Sequence, residues 1–148
     1  MSYESRWTGP LRVRHDEVMG IQVLTLDGGL DASTASVASA SVDDALERSG
    51  PLVFDLWRLR AIDGDGVTLV RSSMRRMLDA GFDLSVVRPK ELNPARAVGG
   101  LCSQVGVVVV DGLGAAIEAV KPWQPGSPRW TPERSVPITP RNEPPRRR

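Results

Sequence analysis

The sequence predicts an α/β domain: a mixed sheet with a parallel core, an antiparallel hairpin at its N-terminal edge, and about four helices. Short apolar runs alternate with segments of helical period, and single short connections join them. The first two strand-like segments are joined too tightly for a crossover, which a parallel pair would need, so they pair antiparallel.

Taken in order, residues 11–15 alternate apolar and polar, which predicts a half-buried strand with His15 on its inward face. After a turn over 16–20, a second strand runs through Ile21, Val23, Leu24 and Leu26 and ends at Gly28-Gly29. Beyond Asp31, the residues Ala38, Val42, Ala45 and Leu46 fall on one helical face, and Gly50-Pro51 stops that helix. Residues 52–56 form an apolar run suited to a central strand buried on both faces. Residues 57–62 read as a connection. From Gly66 the helical period returns, with Val67, Val70, Met74, Met77 and Leu78 on one face, Arg71, Arg75 and Asp79 elsewhere, and Gly81 as the stop. Residues 84–87 are the next strand. Asn93 then serves as N-cap and Pro94 as first helical residue of a helix whose apolar stripe is Val98, Leu101, Cys102 and Val105. A last strand over 107–110 leads to a helix with Leu113, Ala116, Ile117 and Val120 inside.

The 148 residues divide into an N-terminal extension (1–10), the domain (11–121) and a tail (122–148). Eight of the twelve prolines lie in the tail with six arginines and two acids, and its Pro122, Pro125 and Pro128 recur at Pro-x-x-Pro spacing. Such a segment lacks ladder donors and is expected to sample polyproline II or stay disordered, with Trp123 and Trp130 as the side chains able to dock back. The formal charge of +1 hides a division, because residues 1–121 hold 13 basic and 16 acidic groups. An acidic body excludes broad phosphate-backbone contact, so no nucleic-acid partner is expected, and Arg146, Arg147 and Arg148 read as a solubilising end. The only cysteine, Cys102, has apolar neighbours, which predicts a buried thiol and excludes an internal disulfide. No basic-then-apolar leader and no run of about 20 apolar residues is present, so a cytoplasmic protein without a membrane span is expected.

The segment 62–69, Ile-Asp-Gly-Asp-Gly-Val-Thr-Leu, carries the most chemical information. Its plainest reading is structural, with Asp63 or Asp65 capping a helix and the glycines relieving the turn. A calcium loop of EF-hand type fails because position twelve from Asp63 is Met74. A phosphate-cradling loop fails because the glycine spacing is wrong and both aspartates repel phosphate. A magnesium-dependent aspartyl-phosphate phosphatase would use Asp63 as nucleophile and Asp65 as acid/base two residues later. Against it, the preceding strand ends near Leu56, and the only lysines available to neutralise a phosphoryl group are Lys90 and Lys121. His15 has no second histidine or cysteine cluster, so no metal is expected there. Ser72 and Ser73 fall mid-helix, Thr68 is a weak acceptor candidate, and Arg71, Arg75 and Arg76 read as a solvated face or a contact for an acidic partner.

Three ordered motifs frame this loop. Residues 28–34, Gly-Gly-Leu-Asp-Ala-Ser-Thr, follow a strand and open a helix; Phe54-Asp55-Leu56 precedes Asp63 by eight residues counted between the aspartates; and Gly81 leads to Leu84. Between about Leu11 and Val120 this order resembles the STAS family, the domain shared by sulfate transporters and anti-sigma-factor antagonists. The resemblance implies a mixed sheet with helices and a non-enzymatic role in bacterial transcription regulation. It implies no catalytic residue, cofactor or metal, and docking on an anti-sigma factor, usually a serine kinase, to free a sigma factor. The implied docking surface is Asp31, Asp63, Gly64, Asp65 and Gly66. The family loop reads Asp-Ser-Ser/Thr-Gly with the first serine as phosphate acceptor, whereas this chain has Gly64 there and Asp65 next. A serine switch therefore cannot operate at position 64. A degenerate domain of the same kind, whose loop binds a small ligand or serves assembly, is a further alternative.

Overall fold

The computed structural model describes residues 11–48 and 50–120; the N-terminal extension, the Pro/Arg-rich tail and its Trp123 and Trp130 lie outside the described residues. The chain runs β1 (Arg12–Val18), β2 (Ile21–Leu30), α1 (Ala35–Leu46), β3 (Leu52–Asp55), β4 (Leu59–Ile62), α2 (Gly64–Asp79), β5 (Leu84–Val87), α3 (Leu92–Val105), β6 (Val108–Val110) and α4 (Leu113–Val120). The sheet order is β1-β2-β3-β5-β6, with β4 added on β2. The edge pair β1–β2 is antiparallel from Arg12↔Asp27 to Val18↔Ile21, and the other pairings are parallel.

The hairpin turn is tighter than the sequence predicts. Asp16 and Glu17 stay in β1, and only Met19 and Gly20 turn, both with positive φ (53° and 80°). That backbone matches the twist of the flanking strands, and glycine adopts it without a Cβ clash.

β2 does not end at its two glycines. Residues Gln22 to Thr25 pair with β3, and after a register shift between Gly28 and Gly29 the strand continues to Leu30 against β4. Residues 57–62 are thus not merely a connection. The arginines at 58 and 60 interrupt the apolar pattern, yet Leu59 is fully buried and the free end of β2 supplies a partner for this stretch.

The larger core packs α1, α2 and α3 on one side of the sheet through Leu24, Leu26, Phe54, Val86, Val42, Met74, Met77 and Leu101. The smaller core places α4 on the other side through Ile21, Val23, Val53, Val87, Ala116 and Val120. Successive residues of a strand point to opposite faces, so β3 sends Leu52 and Phe54 one way and Val53 the other, as expected of a strand buried on both sides. His15 is half-buried; its Nε2 lies 2.6 Å from Gln22 Oε1, and Gln22 Nε2 donates to Ala45 O at 3.2 Å, tying the hairpin to α1.

Three helix details depart from expectation. Leu78 is exposed, because the buried stripe of α2 is Gly66, Val70, Ser73, Met74 and Met77 and the next residue turns about 100° away from it. Leu113 is likewise mostly outside the small core at the first position of α4. α3 begins at Leu92 with Glu91 as N-cap, so Asn93 does not cap it and Pro94 is the third helical residue. Proline is tolerated there because the first helical N–H groups have no acceptor within the helix.

Candidate functional site

The site forms at the carboxyl end of β2, where two loops meet. The first loop runs from Asp31 to Thr34. Asp31 Oδ1 accepts from Ser33 N at 2.9 Å, Ser33 Oγ at 2.6 Å and Thr34 N at 3.2 Å. Hydrogen bonds to the charged form, that of the Ser33 hydroxyl first, hold the Asp31 carboxyl below its ordinary value of 3.8 against a smaller opposing effect of burial. Thr34 is buried; its Oγ1 donates to Gly29 O at 2.9 Å and accepts from Asp31 N at 3.0 Å, stapling the loop to β2.

The second loop starts α2. Asp63 N donates to Leu30 O at 3.2 Å, which places Asp63 beside the residue that precedes Asp31. Asp63 has extended backbone angles and its Oδ1 accepts from Gly66 N at 2.9 Å, so Asp63 is the N-cap. The helix follows at once, beginning at Gly64 and not at Gly66. Asp65 lies exposed in the first turn, where a negative charge favours the partial positive charge of the helix start.

The two glycines of this loop have opposite roles. A Cβ on Gly66 would stand 2.4 Å from Leu30 O and 2.7 Å from Ile62 Cγ1, so α2 can approach the β2–β4 pair only with glycine there. A Cβ on Gly64 would meet nothing within 4 Å, and this residue is exposed. Of the five residues expected to dock, Asp63 and Gly66 therefore build the loop. Asp31 is half-exposed with its carboxylate engaged by its own turn, and Gly64 and Asp65 face outward. Thr34 and Leu30 are the residues that sequence reasoning missed. The Asp-x-Ser-Thr order after two glycines was the available signal for Thr34, whereas Leu30 acts through its carbonyl, which no side chain advertises.

The strand that precedes Asp63 is β4, not the run ending at Leu56, so the six-residue gap counted against a phosphatase is absent. The Asp63 carboxylate is nevertheless occupied as a helix cap. Lys90 lines a cavity whose walls include neither Asp63 nor Asp65. Among the described residues, no three His, Cys, Asp or Glu side chains form a metal-holding group, and no helix is long and apolar enough to cross a membrane. Cys102 is buried in α3, and burial pushes its thiol up to about 11.

No family model and no curated protein matches the chain. Solved structures do. An anti-sigma factor antagonist from Mycobacterium paratuberculosis superposes with TM-score 0.63 at 20% identity, covering 76% of this chain and 95% of that one. A putative anti-sigma factor antagonist from Thermotoga maritima gives 0.63 at 18% identity, covering 74% and 95%. The unphosphorylated form of the anti-sigma factor antagonist SpoIIAA gives 0.53 at 21% identity, covering 70% and 92%. The chain has the STAS fold. This agrees with the resemblance carried by the three sequence motifs, and it includes the mixed sheet and the four helices expected from them. In this STAS fold the 31–34 and 63–66 loops share the Leu30 end of β2, and both open onto helices of the same face.

Proposed function

We propose that this chain is a non-enzymatic regulatory protein of the anti-sigma-factor-antagonist kind. It docks on an anti-sigma factor through the 31–34 and 63–66 loops and thereby frees a sigma factor, in the cytoplasm. The observation that carries the reading is the outward-facing, rigidly seated start of α2 in a STAS fold. Asp63 caps it, Gly66 lets it press on Leu30, and Gly64 and Asp65 are left free to meet a partner.

Position 64, where related loops carry the phosphate-accepting serine, has open space around it and no positive φ. The fold would accept serine there, so packing does not require the glycine. Docking in this protein is not turned off by phosphate at position 64. Asp65 instead supplies a permanent carboxylate, which imitates part of the charge of about −1.5 to −2 that a phosphate would add.

The test uses a candidate anti-sigma factor and two measurements. Asp65→Ser is expected to bind it as tightly as the unaltered chain or up to about tenfold tighter, as the imitation is removed. Magnesium is expected neither to raise Tm nor to support hydrolysis of p-nitrophenyl phosphate, since a metal bound well below its working concentration would stabilise the fold visibly. The placement of β4 directly before Asp63 keeps the phosphatase as second reading, and magnesium-dependent turnover lost in Asp63→Asn would establish it in place of the first.

A further inference from the structure

A cavity of about 400 Å³ opens between β4 and the start of α3, lined by Asp27, Trp57, Arg58, Arg60, Lys90 and Glu91 around the buried Leu59, with no residue of the 31–34 or 63–66 loops in its lining. Its wall is preorganised. Asp55 Oδ1 accepts from Trp57 N at 3.1 Å, Leu59 N donates to Leu56 O at 3.0 Å, Gly28 N donates to Arg58 O at 3.2 Å, and Lys90 N donates to Trp57 O at 3.1 Å. Four hydrogen bonds thus fix this turn. Among the described residues, Arg58, Arg60 and Lys90 make no ion pair or side-chain hydrogen bond, and neither do Asp27 and Glu91.

Three cations face two carboxylates here, in a domain whose acids outnumber its bases. The start of α3, a helix of 14 residues with no side-chain cap, adds the partial positive charge of its N-terminus at the Lys90–Glu91 rim. Trp57 is 40% exposed, a large apolar surface left at the cavity wall. Arg58 also lines three further hollows, so it is a wall common to them and to this cavity.

We propose that this cavity binds a small organic oxyanion. Its phosphate or carboxylate oxygens take the forked donors of Arg58 and Arg60 and the Lys90 ammonium, and its flat apolar body lies against the Trp57 indole. Asp27 and Glu91 exclude a ligand whose negative charge extends along its body, and they accept from donors it carries. The volume suits a ligand with one ring, since small-molecule pockets begin at about 300 Å³. The lining shares no residue with the docking loops, so the inference does not rest on the proposed docking function.

The experiment is a nitrogen–proton NMR titration of the full chain, with the Trp57 indole signal identified by its absence in Trp57→Phe. The probes are phenyl phosphate, benzoate, inorganic phosphate and phenol. Phenyl phosphate or benzoate is expected to shift the Trp57 indole and the amides of Arg58, Arg60 and Lys90, and to bind about tenfold or more tightly than inorganic phosphate or phenol. Whichever of the two is tighter names the oxyanion. Arg58→Ala or Arg60→Ala, both exposed and expected to fold, should weaken that binding about tenfold, and Trp57→Ala should weaken it while leaving inorganic phosphate unchanged. Neither aryl anion binding more tightly than phenol, shifts confined to other residues, or affinity retained in both arginine variants would each overturn the proposal.

Discussion

Gly64 and Gly66 sit two positions apart in one loop and answer to different forces. Gly66→Ala places a Cβ into the Leu30 carbonyl, a backbone atom that cannot swing aside, and is expected to cost about 2–3 kcal/mol in denaturant unfolding. Gly64→Ala, at the open first position of α2, is expected to be neutral or stabilising by up to about 1 kcal/mol in the same measurement. The sequence allowed Asp63 or Asp65 to be recognised as the capping residue, and the structure assigns the cap to Asp63. The sequence could not separate the glycines, since the atom that forbids a side chain at 66 belongs to β2. Asp31 adds a pH signature. Its carboxyl is held below 3.8 in the folded chain, chiefly by the Ser33 hydroxyl, so its stabilising contribution is complete above that ordinary value and is lost as pH falls through the lowered one. Ser33→Ala removes the largest cause, and the loss of stability on acidification below about pH 4 should become shallower, as read by urea unfolding across that range.

At the level of elements, what was legible followed from period and what was not followed from partners. The stripe Val98, Leu101 and Cys102 is buried as its spacing implies, Val105 lies partly buried against the same core, and burial raises the thiol pKa. With its pKa near 11, only about one thiol in a thousand is ionised at pH 8, so Cys102 should react with a thiol-directed disulfide reagent orders of magnitude more slowly in the folded chain than in urea. A rate close to that of the unfolded chain would mean that α3 opens readily. β4 was hidden for the opposite reason. Arg58 and Arg60 break its apolar pattern, and it is a strand because β2 runs past its glycines and offers an edge. The start of α3 was misplaced by two residues because Asn93-Pro94 looks like an N-cap followed by a first helical residue, whereas proline is equally free of cost anywhere in the first turn.

For the whole molecule, the faces of the sheet divide the tasks. Among the described residues, α1, α2 and α3 cover one face, with the starts of α1 and α2 at the Leu30 end of β2, and α4 packs on the other. The mixed sheet with about four helices was readable from strand–helix alternation, and the three motifs placed it in the STAS fold, whereas which helix covers which face was not readable. The chemistry of the site was less readable, because a loop that docks and a loop that merely turns use the same aspartates and glycines. Docking through the start of α2 is measured by titration calorimetry of a candidate anti-sigma factor with the unaltered chain and with Gly64→Trp. The indole would project from an exposed position with open space around it, so circular dichroism and Tm should stay unchanged within the small effect usual for surface substitutions. Gly64→Trp is expected to lose affinity by about a hundredfold or more, roughly 3 kcal/mol, through blocked backbone approach. Full affinity in Gly64→Trp, with the fold intact, would contradict docking through the start of α2.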